Sequence, residues 1–512
     1  MRIKTQRGQA LVLIALAFVG LAAFVGLAVD GGILFTNIGH LRRAVDAAAL
    51  AAAGQFREGR SNAQLVASAK ELINLNNLDP SVVLVDTCAT DFTLCPPPGQ
   101  PPRKFVRVTA YLPVNFTFLP IVGWRTVTIT ANAVSETASI DLVLVIDTSD
   151  SMTYDAACDN TTDDDAWAET HLPGGLGHPD GDPNDGCSGH AQVGGFVDDY
   201  MRDPDNCNDP DPAPGIQGEC HPFEEVRAAA LALMTRMYFP YDRLAVVNFD
   251  QNAGVKLNLQ MNGCTDMASC RTEAASAIGN LTVYKFPGCS GWPDPTNCTS
   301  TDIADGMLFA GNQFGLFKRE EAVWIVILLT DGAANTATDA HGHRICPGTP
   351  GNPDWVEPLC RDPWASQATR HSSGNAWYDP IDAAMDAADF VGCPDSNSAQ
   401  PAACAAQAPG GQGAVIFTIG LGNGVTDSIA CDPHAYPPGY PTGCQPDQGE
   451  QLLRYIAGAG DDNDPGTPAA QDPCRGVAKG HDCGNYYYSP TGTGLIRVFE
   501  AIASRIFTRL TH

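Results

Sequence analysis

Residues 10–29, ALVLIALAFVGLAAFVGLAV, are twenty consecutive positions without a charge or a strongly polar group. As a helix rising about 1.5 Å per residue they reach about 30 Å, the thickness of a bilayer's hydrocarbon core. Arg2, Lys4 and Arg7 precede the run and Asp30 follows it. That basic flank predicts an N-terminus in the cytoplasm and sends everything after residue 30 across the membrane. A cleaved signal peptide is the alternative, with Gly26-Leu27-Ala28 as a small-x-small site. The run is longer than the roughly 7–15 apolar residues of such signals, which favours a retained anchor.

The helical pattern does not stop with the apolar run. Leu34, Ile38, Leu41, Val45, Ala48 and Ala52 recur at spacings of 4, 3, 4, 3 and 4, an a/d seam with small residues at its far end. One helix from about Leu11 to about Phe56 is predicted, its first half in lipid and its second suited to packing against other long helices. Gly31, Gly32 and Gly39 oppose its continuity, each by up to about 1 kcal/mol relative to Ala.

The segment from Arg7-Gly8 through Asp30 to Ala44-Val45-Asp46-Ala47-Ala48-Ala49-Leu50-Ala51 resembles the N-terminus of Flp/Tad pilus-assembly proteins of the TadE/TadG-like group. The resemblance covers about 50 residues and implies pilus-assembly partners. In pilin-like members a Gly is followed five residues later by Glu. Leu13 stands there in this chain, which speaks against processing and polymerisation as a pilin.

Residues 61–75 read as a further helix. VVLVDTC (82–88), KFVRVTAYLPVNFTFLP (104–120) and TVTITANAVSE (127–137) alternate apolar and polar side chains with the period of strands. A small strand-rich or mixed α/β module over 58–138 is expected, following the helical segment 1–57. Cys88 and Cys95 bracket a short excursion within it, and PPPGQPP at 96–102 is a stiff exposed turn.

From 139 to 512 the pattern changes to that of a three-layer α/β domain with a mostly parallel sheet. Ile140–Ile146 (IDLVLVI) and Glu321–Leu329 (EAVWIVILL) are nearly unbroken apolar strands of the kind buried on both faces. Leu244–Phe249, Val255–Leu259 and Ala414–Ile419 supply further strands. Helical patterns cover 222–238, 267–279, 303–317, 378–391, 449–458 and 494–510. Asp147, directly after the first of these, and Asp331, in Thr330-Asp331-Gly332 after the second, sit at the carboxyl ends where open α/β sheets place their ligands.

Around those two carboxylates the sequence gathers hydroxyls. Ser149 and Ser151 leave the first strand on one turn, and Thr301 can reach the same point from another loop. Two carboxylates and three hydroxyls, without thiolate or imidazole, select a hard octahedral cation, Mg²⁺ or Mn²⁺. An open coordination position would favour an incoming Asp or Glu from a partner protein.

These residues resemble the von Willebrand factor A (vWA) family and its metal-ion-dependent adhesion site. The D-x-S-x-S signature matches Asp147, Ser149 and Ser151, the separate Thr is Thr301, and the late Asp is Asp331 in LLTDG. The resemblance implies a Rossmann-like vWA fold that binds proteins through the metal and is not an enzyme. Two departures stand out. Asp150 replaces a residue that is often Gly, and Cys298-Thr299-Ser300 precedes Thr301 where many relatives carry glycines.

Long inserts set this chain apart. Residues 152–220 are strongly acidic, with Arg202 their one basic residue. With 281–300, 333–377 and 423–448, they belong on the family topology to the metal-bearing end of the sheet, where four long loops would form an elaborated binding surface. Asp163-Asp164-Asp165, Asp180-x-Asp182-x-x-Asp185 and Asp461-Asp462-Asn463-Asp464 are candidate Ca²⁺ ligands, with solvated acidic loops as the alternative.

Eighteen cysteines fall as local pairs: Cys88/Cys95, Cys264/Cys270, Cys289/Cys298, Cys346/Cys360, Cys393/Cys404, Cys431/Cys444 and Cys474/Cys483, with Cys158, Cys187, Cys207 and Cys220 sharing the first insert. Such usage points to disulfides and an oxidising compartment. Lys plus Arg total 30 against 58 Asp plus Glu, a formal net charge of -28, which argues against non-specific binding to nucleic acid or anionic lipid.

Two functions are expected to compete. One is a membrane-anchored extracytoplasmic protein for metal-dependent adhesion or assembly. The other is a structural envelope subunit whose metal only stabilises the fold. No hydrolase or phosphate-cradling motif interrupts the chain.

Overall fold

The structure, a computed structural model, describes residues 7–57, 60–96, 102–149, 152, 222–283, 301–319, 321–334, 336–337, 370–373, 375, 378–394, 412–426, 448–460 and 473–509. The chain divides into two compact units, Met1–Ser139 and Ile140–His512.

The first unit is built on one 51-residue helix, α1 (Arg7–Arg57). Side chains 11–25 are all exposed, and the stretch is long and apolar enough to cross a membrane. The helix runs through Gly31, Gly32 and Gly39, because the cooperative ladder on both sides outweighs three weak positions. Beyond Asp30 the predicted seam turns inward: Leu41, Val45, Ala48 and Ala52 are buried, and Leu34 and Ile38 half-buried.

What covers the seam differs from the expectation. The elements packed on it are α2 (Asn62–Leu75) and two strands of this same chain, β2 (Lys104–Asn115) and β3 (Thr126–Thr137), where other long helices were expected. The reason lies in matching periods. Leu65, Ala69 and Ile73 make a four-residue stripe on α2, and Val106, Val108, Ala110, Leu112 and Val114 make a two-residue stripe on β2. Gln64 accepts the backbone N–H of Ser61 at 2.9 Å and fixes where α2 starts. With β1 (Val82–Asp86), the strands form an antiparallel sheet in the order β1-β2-β3.

The second unit is a three-layer α/β fold. Its sheet has the order β6-β5-β4-β7-β8-β9, with β4 (Ser139–Asp147), β5 (Arg243–Phe249), β6 (Ala253–Leu257), β7 (Ala322–Thr330), β8 (Val415–Leu421) and β9 (Tyr486–Ser489). The β4–β5, β7–β8 and β8–β9 pairs are parallel, and β6 is an antiparallel edge.

Alternation along the buried β4 strand separates two cores. Leu142, Leu144 and Ile146 face one layer, formed with α3 (Phe223–Thr235), α4 (Met267–Gly279) and α8 (Leu495–Arg509). Val143 and Val145 face the other, formed with α5 (Ile303–Leu316), α6 (Pro380–Gly392) and α7 (Gln448–Ala459). Trp324 belongs to this second layer, its ring stacked on Phe314 with centroids 5.2 Å apart. At the amino end of β4 the buried Asp141 is held by Arg243 and Arg319, so its charge is paired away from water.

Three disulfides join the expected sequence neighbours, Cys88–Cys95, Cys264–Cys270 and Cys474–Cys483. Cys393 is disulfide-bonded as well. Cys158, Cys187, Cys207, Cys220, Cys289, Cys298, Cys346, Cys360, Cys404, Cys431 and Cys444 lie outside the described residues, as do the acidic runs proposed for Ca²⁺.

Candidate metal centre

The parallel register sets the site. Asp147 pairs with Phe249 across β4 and β5, so the loops after these strands leave the sheet at the same level. β7 flanks β4 on its other side and ends at Thr330. Asp147, the last residue of this central strand, is fully buried.

Hydrogen bonds tie the three loops together. The Asp147 carboxylate accepts the Ser149 N–H at 2.8 Å on Oδ1 and the Thr330 hydroxyl at 2.6 Å on Oδ2. The Ser149 hydroxyl donates to it too. Thr330 Oγ1 also lies 3.3 Å from both the N–H and the carbonyl of Gly332, so the residues on either side of Asp331 are fastened to Asp147. From the β5 side, Thr148 donates its N–H to the Phe249 carbonyl at 2.7 Å, and its hydroxyl lies 3.4 Å from Asp250 Oδ2. Asn248 donates to the same hydroxyl at 3.0 Å.

Thr301 enters through its neighbour. The Asp302 N–H donates to the Asp250 carbonyl at 2.8 Å, and the Asp302 carboxylate caps α5 by accepting the Asp305 N–H at 2.9 Å. The start of α5 is thereby anchored to the end of β5, with the nearly buried Thr301 at the junction. Gly306 makes this possible, since an added Cβ would come within 2.9 Å of Phe249 and 3.1 Å of Val145. Gly306→Val is expected to lift the start of α5 and cost on the order of 1–3 kcal/mol of stability, read as a lower urea midpoint with an unchanged slope.

Of the five predicted site residues, Asp147 and Ser149 are in direct contact. Asp331 follows Thr330, which bonds Asp147, and Thr301 precedes Asp302, which bonds Asp250. Ser151 and the neighbouring Asp150 lie outside the described residues. Sequence reasoning missed Asp250, Thr148 and Thr330. The signal was present for Asp250, an acidic residue directly after a buried strand in the same parallel sheet.

Burial pushes the Asp147 carboxyl up to about 6, and the negative charge of Asp250 adds to this against the hydrogen bonds from Ser149 and Thr330. Burial also raises Asp250, with its backbone hydrogen bonds, Thr148 and Lys256 opposing. A buried carboxylate that burial and a neighbouring acidic group both push toward its neutral form is a place where a cation's positive charge would be favourable. Among the described residues no group of three or more His, Cys, Asp and Glu is placed to hold a metal, and the polar side chains gathered around Asp147 are the Ser149 and Thr330 hydroxyls. That donor chemistry fits Mg²⁺ or Mn²⁺ and does not fit a soft metal.

No protein-family model and no curated protein matches the chain. Among solved structures it is similar to the pilus adhesin SpaC from Lactobacillus rhamnosus GG, at 11% identity and a TM-score of 0.35, over 79% of this chain and 33% of the adhesin. It is similar to the vWF domain of the type V pili tip protein Mfa5 from Porphyromonas gingivalis, at 14% identity and a TM-score of 0.33, over 73% of this chain and 97% of that domain. A third is proximal thread matrix protein 1 of the mussel byssus with a zinc-occupied MIDAS motif, at 13% identity and a TM-score of 0.30, over 72% of this chain and 46% of that one. The chain spans a third of the adhesin's length and under half of the byssus protein's. These are distant likenesses of fold.

Proposed function

We propose that this protein is a membrane-anchored, extracytoplasmic adhesion or assembly protein that captures a partner through a metal ion. Asp147, Ser149, Ser151, Thr301 and Asp331 would hold Mg²⁺ or Mn²⁺, and an Asp or Glu of the partner would complete its shell. The observation that carries this reading is the buried Asp147 carboxylate, which accepts from Ser149 after β4 and from Thr330 at the end of β7, while the adjoining Thr148 is bonded to the end of β5. The bound ion would supply positive charge at the exposed end of the sheet. The chain's own part is to hold hydroxyls and carboxylates in place before the ion arrives, which lowers the cost of ordering them.

The apolar start of α1 supports the anchoring. The basic flank of that run and the disulfides support a position of the large unit outside the cytoplasm. The resemblance of the N-terminal segment to TadE/TadG-like proteins supports a link to Flp/Tad-type pilus assembly. A scaffold subunit whose ion only stabilises the fold is the second reading, favoured by the complete burial of Asp147.

Calorimetric titration of the detergent-solubilised protein with Mg²⁺ and Mn²⁺ tests the centre, and pull-downs from envelope extract with Mg²⁺ or chelator test capture. Saturable uptake with Mg²⁺-dependent capture is the expected result. Uptake that stabilises the protein without any metal-dependent capture would leave the scaffold reading. No uptake of either ion at millimolar concentration would sink both.

A further inference from the structure

We propose that the tip of the β2–β3 hairpin is a second membrane contact, entering the interfacial layer of the bilayer beside α1. The proposal rests on the reading that α1 spans the membrane. Between Asn115 and Thr126 the chain turns through a short 3-10 segment, Leu119–Val122, closed by Gly123 at φ 95°. Four large apolar side chains stand out from this tip: Phe118 is 42% exposed, Ile121 84%, Val122 72% and Trp124 69%. Such a cluster on ten residues of a watery surface is unfavourable and marks a contact with something apolar.

Its position against α1 identifies that something. The Asp30 carboxylate accepts the N–H groups of Thr117 at 2.7 Å, Phe118 at 3.0 Å and Leu119 at 2.7 Å. One turn earlier Gly26 lies against Phe118, so closely that a Cβ there would come within 2.9 Å of the Phe118 Cβ. Gly26 and Asp30 are the two buried residues between positions 11 and 30, and both are spent on the tip. The hairpin is therefore clamped to the last turn of the apolar run. Gly26 lies three residues before the run's end at Val29, about 5 Å inside it at 1.5 Å per residue.

If residues 10–29 fill the hydrocarbon core, Phe118 sits just within its edge. That depth matches the roughly 5–10 Å to which interfacial elements insert. The chemistry agrees. Trp124 is of the type enriched at the membrane boundary, and the exposed Arg125 beside it suits headgroup phosphates. A cleft of about 710 Å³ lies between helix and tip, lined by Leu27, Leu34, Leu119, Trp124 and Arg125 among others. Asp30 solves the remaining problem, because amides turned toward lipid need a strong acceptor where water is scarce.

The test uses the full-length protein in vesicles of phosphatidylcholine and phosphatidylglycerol, with a photoreactive benzophenone amino acid replacing Ile121. The same amino acid at Phe18, in the middle of the apolar run, is the positive reference. Phe92 is the negative one: it is exposed in the same unit, and its neighbour Asp91 pairs with Arg107. Arg107 lies eight residues down β2 from Asn115, about 26 Å at 3.3 Å per residue.

Lipid adducts at 121 approaching those at 18, and at least ten-fold above those at 92, are expected. Labelling at 121 no higher than at 92, with 18 still labelled, would overturn the contact and leave the anchor standing. A protein–protein adduct at 121 in place of lipid would overturn it too. Absence of lipid adducts at 18 would remove the anchor, and the contact with it.

Discussion

Asp147→Asn is expected to abolish Mg²⁺ binding while making the metal-free protein more stable at neutral pH. Both effects come from the same buried charge. The asparagine keeps one oxygen for the Ser149 N–H, and its amide can donate to Thr330 Oγ1, whose hydrogen can turn to the Gly332 carbonyl. The web of the three loops is kept and the ligand charge is lost.

The sign follows from the carboxyl's position. It is pushed from 3.8 up to about 6 in the fold, so the native state holds this proton where the unfolded chain has released it. As pH rises from about 4 to about 6 this group subtracts stability, by a total on the order of 3 kcal/mol above that window. The variant escapes that loss. Metal-free wild type and variant should therefore melt at similar temperatures near pH 4 and separate by pH 7, the variant melting higher.

With Mg²⁺ present the order at neutral pH should close or invert, because only wild type gains from the ion. Below pH 6 protons compete for Asp147, and apparent affinity should fall by about ten-fold per pH unit. Melting curves across pH, with chelator and with millimolar Mg²⁺, decide the matter. A variant that gains as much from Mg²⁺ as wild type would show that Asp147 is not a ligand.

The second large effect falls on the hairpin. Asp30→Ala should free the amides of Thr117, Phe118 and Leu119, each of which now donates to a carboxylate. Hydrogen bonds to charged groups are worth about 1.5–3 kcal/mol each, so even after relaxation the tip should lose a few kcal/mol of docking. Amide hydrogen exchange at these three positions should accelerate by about 100-fold or more. The packed seam at Leu41, Val45 and Ala48 should keep its protection, since none of its contacts uses Asp30. Asp30→Asn retains one acceptor oxygen and should fall between. Unchanged exchange at 117–119 in the alanine variant would mean that the turn holds itself in place and that Asp30 only accompanies it.

Much of the architecture was legible because it is written in local periods. The two-residue alternation of 104–114, the 4-3-4-3 stripe after Leu34 and the unbroken apolar strand ending at Asp147 each state which side of an element is buried. From these, the long helix, the strand module and the three-layer α/β fold could be read before any contact was known. The site was half legible for the same reason. Asp147 ends β4 and Asp331 follows the end of β7, and a parallel sheet puts strand ends together.

What no period encodes is which element meets which. The seam of α1 fits a neighbouring helix as well as it fits α2 and β2, and only the folded chain decided that its own strands cover it. The strand β9, Tyr486–Ser489, is four residues long and too short to carry a pattern, and its place beside β8 comes from pairing alone. Thr330 reads as an ordinary strand residue until its hydroxyl is found on Asp147. Asp30 reads as the charged end of a membrane segment, yet it binds amides some 87 residues further along. The sequence determined the elements and their faces, because those depend on neighbours three or four residues away. Tertiary structure decided the partners of Asp30, Asp147 and Asp250, because a buried carboxylate takes whatever donors the packing of distant segments brings to it.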